Sequence, residues 1–136
     1  MWTVFHALRL VLSITRVRST RIARILIAVK PRMYREVLAL SLHQNRPEAE
    51  VLISPPEALD GEVGRFKPHL VVCSEGTVPD IPPGVVCRVE IMFSNGLDAR
   101  IGLDGQVAEA KDVCIEDLLA LVDRTEKMIS KEESVD

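Results

Sequence analysis

Three short apolar runs constrain this chain more than any other feature: "RIARILIAV" (residues 21–29), "AEVLIS" (49–54) and "HLVVCS" (69–74). Each is followed within two residues by proline or glycine. Runs this short, rich in Val, Ile and Leu, read as strands buried on both faces. Between the first two, Pro31 suits the first turn of a helix. "RMYREVLALSLHQN" then places Met33, Val37 and Leu40 on one side, with Tyr34, Leu38 and Leu42 beside them. That spacing predicts one broad apolar helix face over 32–45. Between the second and third runs, Pro55 and Pro56 open a short helix. Its Leu59, Val63 and Phe66 recur at i, i+4 and i+7, and Gly61 and Gly64 weaken it. Strand, helix, strand, helix, strand with short connections is the pattern of a parallel sheet with right-handed crossovers.

After Ser74 the pattern changes. "EGTVPDIPPG" holds three prolines and two glycines in ten residues, so it predicts a loop in place of a crossover helix. "VVCRVEIMFS" reads as a fourth strand. Asn95-Gly96 and Asp104-Gly105 are two-residue hairpin signals, and Leu97, Ala99, Ile101 and Leu103 alternate between them. This half therefore predicts an antiparallel meander. The last element is a helix, "IEDLLALVDRTEKMI", with Ile115, Leu118, Leu119, Val122 and Ile129 as its buried stripe. Cys114 stands where a Ser or Asp cap is usual, with Asp117 three positions on.

The length of 136 residues suits one domain, with its body at 22–130 and a solvated tail at 131–136. Residues 1–21 form an apolar and basic extension. "MWTVFHALRLVLSIT" is too short to span a bilayer, which takes about 20 apolar residues. It lacks the basic start and small-residue cleavage site of a signal peptide. Three readings stay open: a short helix packed on the body, an interfacial anchor whose arginines reach anionic lipid through residues 1–24, or upstream sequence outside the native domain. Charge is uneven. Residues 1–46 hold nine Arg/Lys and one acid, Glu36, whereas the rest holds eight Lys/Arg and nineteen acids.

These segments together resemble the receiver domain of bacterial response regulators. "RILIAVKPRMYREVLALSL" resembles the receiver's opening strand and first helix, "KPHLVVCSE" its third strand, and "KDVCIEDLLALVDR" its closing segment and last helix. The resemblance covers residues 22–74 and 111–129. It implies an α/β, CheY-like or flavodoxin-like three-layer sandwich, with parallel strands 1–3 extended by the antiparallel meander and closed by the C-terminal helix. Receivers bind Mg²⁺ through an acidic pair after the first strand; here Val29 and Lys30 stand there. A hard cation wants oxygen ligands and negative charge, and neither residue supplies them. Ser74 replaces the phosphoacceptor aspartate, and a hydroxyl without a base or metal is a weak nucleophile. Ser94 takes the place of the receiver's Ser/Thr, and Lys111 that of its lysine. The implied function is a non-catalytic, phosphorylation-independent module of signal transduction that binds a protein partner, in the cytoplasm, with no metal and no cofactor.

Other chemistry has little footing in the residues. Cys73-Ser74 lacks the Gly and Arg that cradle phosphate after a catalytic thiolate, and Glu75 opposes an anion. His6, His43 and His69 are scattered and read as solvent-facing or strand-edge residues. Cys73, Cys87 and Cys114 show no zinc spacing and read as reduced core thiols. The N-terminal arginines lack interleaved aromatics, so nucleic acid is not indicated. The alternative function is a small-ligand-binding protein or enzyme using Lys30, Ser54, Ser74, Glu75 and Ser94 at the carboxyl ends of the strands. A homodimer is left open.

Overall fold

A computed structural model describes residues 22–76, 84–92 and 98–135, with side chains to residue 130. Among the described residues six strands form one sheet: β1 (Arg24–Ala28), β2 (Glu50–Ile53), β3 (Leu70–Ser74), β4 (Cys87–Met92), β5 (Asp98–Leu103) and β6 (Gln106–Ala110). Their order is β2-β1-β3-β4-β5-β6. Three helices accompany them: α1 (Arg32–Asn45), α2 (Leu59–Phe66), entered through one 3-10 turn, and α3 (Ile115–Val135). The predicted strand-helix alternation is therefore present, and α1 has the bounds expected from its flanking prolines.

The parallel part is larger than the sequence predicts. β1 pairs in parallel with β2 and β3, and β4 pairs in parallel with β3, Cys87 lying opposite Leu70 and Ile91 opposite Ser74. Only β4-β5-β6 is antiparallel. The connection after Ser74 is long enough to permit the parallel pairing of β4. About a dozen residues suffice to return the chain to the start of the sheet. The amides of Val86 and Cys87 then both donate to the His69 carbonyl, at 2.9 and 3.1 Å. The Asp104-Gly105 hairpin is present, both residues having positive φ (53° and 78°) as a tight primed turn requires. The Asn95-Gly96 signal and the extension 1–21 lie outside the described residues.

The sheet has helices on both faces at its parallel centre. Ile25, Ile27, Leu70, Val72, Val89 and Ile91 form one face and share a core with Leu38 and Leu42 of α1 and Leu118, Leu121 and Val122 of α3. Leu26, Ala28, Val71 and Cys73 form the other face, and Leu59 and Val63 of α2 cover it. Strand alternation explains both sets. Beyond β3 the second face turns polar: Arg88 and Glu90 of β4, then Arg100 of β5 paired opposite Glu90, then Glu109 of β6 opposite Arg100. The three-layer arrangement holds at the centre, and the meander has a buried face and a charged one. No helix among the described residues is long and apolar enough to cross a membrane.

α1 differs from its predicted single apolar face. Leu38 and Leu42 are buried, whereas Met33, Val37 and Leu40 are exposed.

The C-terminal end of α1 is joined by charge to the middle of α3. Arg46 Nε and Nη2 donate to the two carboxylate oxygens of Asp123 at 2.7 and 2.8 Å. This bidentate bond holds the Asp123 carboxyl below its usual range. A lowered folded pKa contributes stability above the unfolded value of about 3.9, and the contribution is lost as pH falls through that value toward the folded one. Half-exposed and screened, the pair is worth about 0.5–1 kcal/mol. Asp123→Asn is expected to remove that part of the acid-side slope in urea midpoints measured from pH 6 to pH 3. An unchanged slope would assign the acid sensitivity to other carboxylates.

Candidate functional site

In an open α/β sheet the carboxyl ends of the parallel strands are the usual place for chemistry. Here β1 is followed by Val29, which is fully buried, and Lys30, which is exposed. Two side chains fasten this end. The Lys30 amide donates to Ser74 Oγ at 2.8 Å, and Arg35 Nη1 donates to the Val29 carbonyl at 3.1 Å. Ser74 is itself buried. Its hydroxyl oxygen therefore ties β3 to the turn after β1. At the end of β2, the buried Ser54 donates its amide to the Ile27 carbonyl (2.9 Å) and its hydroxyl to the Pro55 carbonyl (3.0 Å). Its polar groups serve the turn into α2.

The end of β3 is fixed differently. The Glu75 amide donates to the Ile91 carbonyl at 2.9 Å, which continues the ladder with β4. The Gly76 amide, in a residue with φ of 82°, donates to Glu90 Oε2 at 3.3 Å. Glu90 Oε1 is 3.3 Å from Arg100 Nη1. Glu90 is a buried carboxylate in strand register with Cys73 on one side and Arg100 on the other. One arm thus pins the turn that leaves β3 and the other holds a cation. Glu90, Arg100 and Arg35 were not among the residues the sequence singles out. The available signal was the alternation Arg88, Glu90 within an otherwise apolar strand, which marks a polar side facing a polar partner.

Val29, Lys30 and Ser74 therefore meet at one place, and Glu75 borders it. Lys111 does not join them. It follows β6, three strands from β3 in the sheet, a separation of about 14 Å at the usual strand spacing. The antiparallel meander β4-β5-β6 is what places it there. Ser94 lies outside the described residues. No group of three or more His, Cys, Asp or Glu side chains placed to hold a metal occurs among the described residues.

Histidine and cysteine positions also correct the sequence reading in part. His69 is buried, and its Nδ1 accepts the Arg24 amide at 3.0 Å at the opposite end of the sheet. Cys73 and Cys87 are core thiols as expected, whereas Cys114 is exposed at the start of α3. There the Asp117 carboxylate accepts the Cys114 amide at 3.0 Å, the reciprocal half of a capping box. Burial pushes the Cys87 thiol up to about 11. At pH 8 only about one molecule in a thousand then carries that thiolate, by the dependence of reactivity on thiolate fraction. Iodoacetamide at pH 8 is expected to modify Cys114 in the native protein and to reach Cys73 and Cys87 only after denaturation. Peptide mapping that finds Cys87 modified first would contradict this burial pattern.

Comparison with protein-family models, with curated proteins and with solved structures finds no match.

Proposed function

We propose that this chain is a receiver-like module that works by binding a protein partner and performs no phosphoryl transfer. The observation that carries this reading is the Lys30 amide on Ser74 Oγ at 2.8 Å. The hydroxyl at the acceptor position is engaged in holding two strand ends together. Val29 and Lys30 put an apolar side chain and an ammonium where a magnesium ion needs carboxylates.

The partner surface in this reading is the exposed side of α3 with the meander edge beside it. A groove of about 410 Å³ runs between them, lined by Leu103, Asp104, Gln106, Arg124, Lys127 and Met128. Two apolar side chains, Leu103 and Met128, lie in it among the polar Asp104, Gln106, Arg124 and Lys127. Edge strand β6 adds a row of backbone groups at the sheet border, with Val107 exposed.

The test of the reading is incubation of the protein with acetyl phosphate and Mg²⁺, followed by intact mass measurement. The expected result is an unchanged mass. A hydroxylamine-labile phosphoryl adduct at the strand ends would overturn the proposal.

A further inference from the structure

Helix α1 carries two apolar rows and the body uses one. Leu38 and Leu42 are 6% and 0% exposed, whereas Met33, Val37 and Leu40 are 76%, 54% and 57% exposed. The outward three stand at i, i+4 and i+7, which aligns them as one stripe. A groove of about 410 Å³ follows the stripe, with Arg32 and Glu36 on its rim. Contiguous exposed apolar surface with a polar rim marks a binding surface.

We propose that the occupant of this stripe is the apolar segment 2–14 of the same chain, docked intramolecularly. Position supports it first. The described chain begins at Ile22, just before β1, and the Glu50 amide donates to the Ala23 carbonyl at 2.9 Å. Only four residues, 46–49, separate α1 from β2. The C-terminal end of α1 therefore lies close to where the extension enters. Leu40 is about 8 Å along the helix from Asn45, and Met33 about 10 Å further. Residues 15–21 span up to about 23 Å when extended. That length reaches the stripe.

Pattern and charge agree with position. In "MWTVFHALRLVLSIT" Val4, Leu8 and Val11 have the same i, i+4, i+7 spacing as Met33, Val37 and Leu40, while His6, Arg9 and Ser13 recur on another side. Two such stripes can pack as ridges against grooves. Glu36 on the rim, 3.5 Å from Arg32 Nε, is the one acid in residues 1–46, and the segment brings Arg9 and no acid.

Area argues against a second copy as the occupant. Three side chains offer on the order of 300 Å², whereas a stable interface needs about 800 Å² from each partner. A tethered segment is held near its groove at an effective concentration of the order of millimolar and avoids most of the entropic cost of association. The inference does not depend on the receiver-like reading.

The test is amide hydrogen exchange of the full chain, read by mass spectrometry, with Val37→Glu and Leu40→Glu as separate variants. Both positions face solvent in the body, so the core is expected to tolerate them, and far-UV circular dichroism checks this. The expected result is slowed exchange in residues 2–14 of a monomeric parent, accelerated about tenfold or more by either variant through loss of apolar contact. Unprotected exchange in the parent would overturn the proposal. So would protection indifferent to both variants. Protection that depends on protein concentration would assign the stripe to a second copy, and protection only on phosphatidylserine vesicles would assign the segment to a lipid surface.

Discussion

Val122→Asp is expected to destabilise the protein by at least about 3 kcal/mol, because it places a carboxylate in a fully buried site within an apolar cluster. Val122 is 0% exposed and belongs to the core that α3 shares with α1 and the sheet. Relaxing the charge means lifting the helix, and lifting it also uncovers Leu118 and Leu121. The neighbouring Ala120 faces solvent, so Ala120→Asp supplies the comparison. It adds the same charge to the same turn and should cost under about 1 kcal/mol, the range of helix propensity and surface effects. Urea unfolding followed by circular dichroism measures both. Equal losses in the two variants would mean that α3 does not dock on the face assigned to it.

Ile27→Ala is the second large effect, a loss of about 3–4 kcal/mol. Ile27 is fully buried between Ile53 on β2 and Val72 on β3. Helices lie over both faces of this part of the sheet, so little can collapse into the space left behind. For a domain of this size the midpoint of thermal unfolding should fall by roughly 10–15 °C. Ile53→Ala is the informative partner. Ile53 occupies the same sheet row but sits on an edge strand and is 44% exposed. Its truncation removes much less buried surface, and about 1 kcal/mol is expected. Similar losses at the two positions would contradict the strand order.

Much of the parallel centre was legible because two signals coincide there. Apolar runs mark β1, β2 and β3, and prolines at 31, 55 and 56 mark where helices begin. The buried stripe of α3 was legible for the same reason, with Leu118, Val122 and Ile129 all inside. Periodicity could not say which row of α1 faces the sheet. Met33, Val37 and Leu40 look as apolar as Leu38 and Leu42, and only the angle at which the helix lies selects between them. Strand direction was also hidden. "VVCRVEIMFS" carries no mark of parallel or antiparallel pairing, and the length of the loop before it permits both. At the strand ends, Val29, Lys30 and Ser74 could be placed because each follows a recognisable strand. Glu90 could not, since its role arises from the backbone amide of Gly76 and from Arg100, ten residues away. Lys111 lies apart from Ser74 because the meander carries the chain outward through β5 and β6 before it.

The core beneath α1 has a consequence for synthesis on the ribosome. Ile25 and Ile27 from the first strand share that core with Leu118, Leu121 and Val122 from the last helix. The opposite face closes early, since Leu59 and Val63 precede β3 in the chain. When Ser74 has been made, 43 residues remain before Leu118, a delay of roughly 2–9 s at about 5–20 residues per second. Throughout that interval the nascent chain presents Ile27 and Val72 half covered, with α1 alone as a roof. This protein therefore needs its tail translated before its head is sealed, and a stall late in the message would release a sticky, one-sided intermediate for chaperones to hold.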